Sequence, residues 1–123
     1  GDPDLVVANN NGPARILINQ GAPAPGQWVG IDLRTPGSED AKSAHRPLGS
    51  WVGVLEDGTA KPARQRRFHT DGSYASANDP RVLVVTGSAT PTLAVSWPDG
   101  EQEFFRLEET GRYFTLVRGR GEP

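Results

Sequence analysis

Apolar residues recur along this chain in short runs of period two, each stopped by glycine, proline, asparagine or aspartate. Val29, Ile31 and Leu33 alternate with Gly30, Asp32 and Arg34, the period of a strand with one buried face. Leu93, Val95 and Trp97 alternate in the same way with Thr92, Ala94 and Ser96. Glu101 to Leu107 returns beside them, with Phe104 and Phe105 supplying bulk. The tetrapeptide between, Trp97-Pro98-Asp99-Gly100, suits a type I turn closed by a left-handed glycine. Val52 and Val54 alternate with Trp51, Gly53 and Leu55, which predicts a strand with apolar groups on both faces. Asp57-Gly58 is a hairpin signal, and Ala63 to Thr70 reads as the return strand, with Pro62 placing its start at an edge or bulge. Val82–Val85 and Arg112–Arg118 complete this set.

The first part of the chain is patterned differently. Leu5 to Ala8 and Ile16 to Ile18 are continuous apolar runs and read as two buried strands joined by the Asn9–Pro13 turn. Gly21 to Gly26 reads as a linker, and Thr35 to Pro47 as a polar, irregular, mobile loop. No window spaces apolar residues at i, i+3, i+4 and i+7, so helix is expected in well under a tenth of the residues. The fold class is all-β: an antiparallel β-sandwich, with jelly-roll-like or barrel-like arrangements as alternatives. Its core should hold Val29, Ile31, Leu33, Val95, Trp97, Phe114 and Leu116, one face per strand.

Composition narrows this picture. The 123 residues suffice for one core, yet hydrophobic content is 35% and mean hydropathy is -0.53, which fits a thin core between two sheets. The 15 glycines and 11 prolines leave no room for long helices. No run approaches the roughly 20 apolar residues of a membrane span. Cysteine is absent, which excludes disulfides and thiolate metal sites. A net charge of -2 argues against general nucleic-acid binding, which needs a large basic surface. The opening Gly1-Asp2-Pro3-Asp4 lacks the basic start and apolar run of a signal peptide, and the chain is expected to be a piece of a longer protein.

Candidate chemistry is sparse. His69, Asp71 and Ser73 have triad residue types, but two-residue spacing along one strand lines them up in a row and forbids the relay. A polar strand end running into a turn accounts for them, and no catalytic residue is assigned. Asp2 and Asp4 are hard oxygen donors suited to Ca²⁺, which takes about six to eight oxygens. As a partial site they would bind weakly, and only with donors from an upstream repeat, so no cofactor is expected. Arg64, Arg66 and Arg67 can bind sulfate, phosphate or acidic sugar through bidentate bonds, or can form a solvated strand face that blocks edge pairing. Trp51 and Tyr74 are the surface aromatics best placed to join them as ligand-binding residues, whereas the alternation around Trp97 assigns it to the core.

An ordered set of motifs carries a family resemblance. These are Asn11-Gly12-Pro13-Ala14-Arg15 with Leu17 and Asn19, then Trp28-Val29-Gly30, then Gly72-Ser73-Tyr74 running through Asp79-Pro80-Arg81, and Trp97-Pro98-Asp99-Gly100. In this order the chain resembles the ASPIC/UnbV domain family, as a divergent member. It departs from the family pattern at Gly49-Ser50-Trp51-Val52 and at Leu83 to Gly87. Gly1 to Asn10 is similar to the end of an FG-GAP or VCBS repeat of integrin-like propellers, which this domain commonly follows. The resemblance implies residues 1–20 as the end of a propeller-type repeat or an extra strand pair, 21–26 as a linker and 27–120 as the β-sandwich domain. It implies structural roles for Gly72, Ser73, Tyr74, Asp79, Pro80, Arg81 and Trp97 to Gly100. It further implies a non-catalytic binding or assembly module whose first partner is the upstream propeller of the same polypeptide, with a glycan, protein or small-molecule ligand. The alternative is a component of enediyne-type natural-product biosynthesis in a bacterium, acting on or binding a polyketide intermediate. The first reading implies an extracellular or cell-envelope setting, the second a cytoplasmic one.

Overall fold

Strands form where the alternation predicts them. The computed structural model describes residues 4–21, 28–37, 45–55, 59 and 61–123. Among these lie β1 (Leu5–Val7), β2 (Arg15–Leu17), β3 (Trp28–Arg34), β4 (Trp51–Leu55), β5 (Ala63–Arg67), β6 (Val82–Val85), β7 (Thr92–Ser96), β8 (Gln102–Arg106) and β9 (Tyr113–Val117), and no helix. The expectations for Asp2, for the linker beyond Gly21, for the middle of the Thr35–Pro47 loop and for the Asp57-Gly58 turn lie outside the described residues.

Two sheets share one core. A four-stranded sheet runs β5-β4-β7-β8, entirely antiparallel, and a three-stranded sheet runs β6-β3-β9. Val29, Ile31 and Leu33 of β3, Val84 of β6 and Leu116 of β9 face Val52 and Val54 of β4, Leu93 and Val95 of β7 and Phe105 of β8. Phe68, Trp97 and Leu107 close the ends of that layer. Each such side chain contributes about 1.5–3 kcal/mol by leaving water. Of the expected core, Phe114 alone is only half-buried, packing against the cluster from its margin.

One pairing breaks the antiparallel rule. β9 runs parallel to β3, with Gly30 opposite Tyr113, Asp32 opposite Thr115 and Arg34 opposite Val117. The two strands stand far apart in the chain, so no tight turn constrains their relative direction, and parallel pairing needs only such a long connection. In β4–β5 the register shifts between Val52 and Val54, where Arg64 takes a φ of 51°. That is the bulge Pro62 announced. The Trp97–Gly100 turn closes as expected: Gly100 has a φ of 92° and donates its N–H to the Trp97 carbonyl at 3.0 Å.

Two readings are corrected. β1 and β2 do pair, Val6 opposite Ile16, but as a separate two-stranded sheet, and every residue from Asp4 to Gly21 is exposed. Their apolar runs are therefore uncovered, not buried. The second correction concerns the stretch from His69 to Ser73. β5 ends at Arg67, because the buried Phe68 turns inward and the chain then leaves the sheet, so these residues occupy a loop instead of one strand face.

Candidate functional site

The outer face of the β6-β3-β9 sheet gathers charge and aromatic surface in one place. Because Val29, Ile31 and Leu33 point into the core, strand alternation turns Trp28, Gly30, Asp32 and Arg34 outward. The parallel register brings Tyr113 over Gly30, where an added Cβ would meet the Tyr113 ring at 2.2 Å. Any larger residue there must displace the ring, which occupies the place of a side chain. Trp28 meets Tyr113 edge to face, with ring centroids 5.8 Å apart. Arg81, one step beyond the Ile31–Val82 pair, comes level with Asp32 and lays its guanidinium 4.9 Å from the Tyr113 ring centroid.

Two carboxylates hold three arginines on this face. Asp32 Oδ2 accepts from Arg34 Nε at 3.1 Å and from Arg34 Nη2 at 2.8 Å, while Arg46 Nε lies 3.4 Å from Asp32 Oδ1. Asp32 is only 9% exposed, and its Oδ1 has no hydrogen-bond donor. Asp79 takes the Arg81 side chain in a fork, both oxygens accepting from Nε at 3.0 and 2.8 Å, and also accepts the Arg81 backbone N–H at 3.0 Å. The Arg81 side chain, followed by its backbone N–H, holds the Asp79 carboxyl below the usual carboxylate range. Arg81 is shifted up in turn, chiefly by its hydrogen bonds to Asp79, with smaller contributions from Tyr113 and Asp32. The loop bearing Arg46 is tied back to β3, since the His45 carbonyl accepts from Thr35 N at 3.0 Å.

The residues singled out from sequence are divided by the fold. Trp51 and Arg67 stand directly opposite on the outer face of the four-stranded sheet, and Trp51 is 45% exposed. Arg66 pairs with Val52 and so points to the other side of the edge strand, bonding the Gln65 carbonyl next to it. Arg64 occupies the bulge, and Tyr74, 98% exposed, lies in the loop after β5. Arg67 reaches Asp71 at 3.4 Å, and His69 Nδ1 donates to the Asp71 carbonyl at 2.5 Å. Hydrogen bonding to its own backbone, then the charges of Arg67 and His69, draws the Asp71 carboxyl low. Asp4 Oδ1 accepts Asn19 N at 2.9 Å across the β1–β2 hairpin. Among the described residues no group of three His, Cys, Asp or Glu is arranged to hold a metal.

The Trp97–Gly100 turn is tied to the end of β9. Asp99 and Glu101 both bond Arg118, whose guanidinium lies 5.8 Å from the centre of the Trp97 ring. Arg118 chiefly draws the Asp99 carboxyl below its ordinary range. Nearby, a shallow cleft of about 410 Å³ between Gln102, Glu103 and Gly119 is acidic, but Glu103 is already committed. Its carboxylate accepts from Gly119 N at 2.9 and 3.0 Å and from Gly121 N at 3.0 Å.

Sequence reasoning missed the part played by Asp32, Arg34 and Arg46. Their signal was faint: an Asp and an Arg two apart on the outward face of a strand, and one Arg in a polar loop. A family model described as ASPIC and UnbV matches residues 40–123. No curated protein and no solved structure matches the chain. The matched span starts after β3, although β3 is the central strand of its sheet.

Proposed function

The chain belongs to the ASPIC and UnbV family, and from that premise we propose that it is a non-catalytic binding and assembly module of a larger, propeller-containing protein. The observation that supports this reading is the β1–β2 hairpin. Leu5, Val6, Ile16, Leu17 and Ile18 are each more than half exposed, and the two strands cover neither face of one another. An isolated two-stranded hairpin is marginal in water, and one with exposed apolar residues on both faces, Val6 and Ile16 on one and Leu5 and Leu17 on the other, supports an interface. The proposed occupant is the upstream propeller of the same polypeptide, whose strands would pair with the open hairpin edges and bury these side chains. The sandwich then stands outside that joint and presents its sheet faces to a glycan or protein ligand.

Mixing this chain with a separately produced upstream portion of its polypeptide tests the assignment. A complex is expected by size-exclusion chromatography, and it should be lost when Val6→Asp and Ile16→Asp place charges on one hairpin face. Absence of a complex, or one that survives both substitutions, would contradict the assembly role.

A further inference from the structure

We infer that the outer face of the β6-β3-β9 sheet is a binding site for an acidic saccharide, a polymer whose rings carry carboxylate or sulfate groups. This deepens the binding-module reading and rests on it. Three observations on that face converge. Among the described residues the arginines Arg34, Arg46 and Arg81 outnumber the carboxylates Asp32 and Asp79 that hold them, three to two, an excess of positive charge. All three arginine side chains stay partly exposed, at 30%, 39% and 43%. Two of them are also held in place: Arg34 and Arg81 are fixed on carboxylates, which leaves them less rotamer freedom to lose on binding.

The second observation is the aromatic surface beside them. Tyr113 is 49% exposed over the glycine floor at Gly30, with Trp28 at its edge and Arg81 against its ring. An aromatic ring with a negative face meets the polarised C–H groups of a sugar ring, while the guanidinium groups take its anionic substituent in charge-assisted bonds. The third observation is the Asp32 oxygen with no donor, buried at the root of the cluster. A carboxylate short of a donor draws Arg46 toward itself and fixes the cluster's position on the sheet. Trp28 and Arg34 stand at opposite ends of β3, so the aromatic and cationic groups are spread along the sheet, which suits successive units of a chain. The Trp51–Arg67 face is less well organised, since among the described residues Arg67 is steadied by one long contact to the exposed Asp71.

The test is titration of this chain with an oligogalacturonate, a heparin-derived oligosaccharide, a neutral oligogalactose and a poly-glutamate peptide at two salt concentrations. The expected result is binding of one or both acidic saccharides, weakened by salt, with the neutral sugar and the peptide much weaker. Arg81→Gln and Arg46→Gln should each weaken binding about tenfold, whereas Arg106→Gln on the other sheet should not. Both site variants leave the Arg34–Asp32 fork in place, and thermal melting should show them folded. Binding of poly-glutamate in preference, equal binding of the neutral sugar, or no response to either site variant would overturn the saccharide assignment and leave the assembly reading standing. Failure of the hairpin complex would do the reverse. No binding to either acidic saccharide would also overturn it.

Discussion

Trp97 ends β7 with 2% of its surface exposed, wedged into the core while the next three residues turn the chain. Its place was legible because it extends the Leu93–Val95 alternation by one step and is followed by Pro98 and Gly100, which cannot continue a strand. Removing the ring should cost about 3–5 kcal/mol, so Trp97→Ala should lower the denaturation midpoint sharply; a loss below about 1 kcal/mol would place the ring at the surface. Asp79 and Arg81 make a second residue-scale prediction. The folded carboxyl of Asp79 is depressed, so its contribution is present above the unfolded value near 3.8 and is lost as pH falls through the lower folded value. Thermal melts of the wild type and Asp79→Asn should therefore differ at neutral pH and converge well below pH 4; a gap that persists in acid would contradict the ion pair. Asp32, Arg34 and Arg46 were not legible in the same way. Their meeting depends on a loop returning over β3, which period and propensity along the chain do not encode.

At the scale of elements, the strands were readable and their partners less so. Short runs between turn residues, alternating in β3, β4 and β7, marked every strand of the sandwich, and the hairpin β7–β8 followed from its turn. The parallel β3–β9 contact did not, because nothing local relates Trp28–Arg34 to Tyr113–Val117 across most of the chain. Gly30 reports on that contact. A methyl group at this position would displace the Tyr113 ring, separating it from Trp28 and from Arg81. Gly30→Ala should keep the sheet, since the neighbour that must move is a side chain, but should shift the Tyr113 ring resonances strongly in NMR spectra and weaken acidic-saccharide binding. Unchanged ring resonances would show that Tyr113 does not lie over Gly30. The β1 and β2 runs illustrate the opposite error: continuous apolar patterning correctly gave strands, yet it cannot say what covers them.

Among the described residues the molecule thus combines a sandwich with a buried apolar core and a hairpin whose apolar residues are uncovered. Those two parts ask for different environments, and the assembly reading supplies one for each: solvent and ligand for the sandwich faces, a neighbouring sheet for the hairpin. Amide hydrogen exchange, compared between this chain alone and a longer polypeptide that includes the upstream segment, measures that division directly. In the chain alone, core amides such as Ile31 and Val95 should exchange slowly, while Val6, Ile16 and Leu17 exchange close to the rate of unstructured peptide. In the longer polypeptide the hairpin amides should become protected and the sandwich pattern should stay as it was. Hairpin amides that remain unprotected in the longer polypeptide would contradict the account.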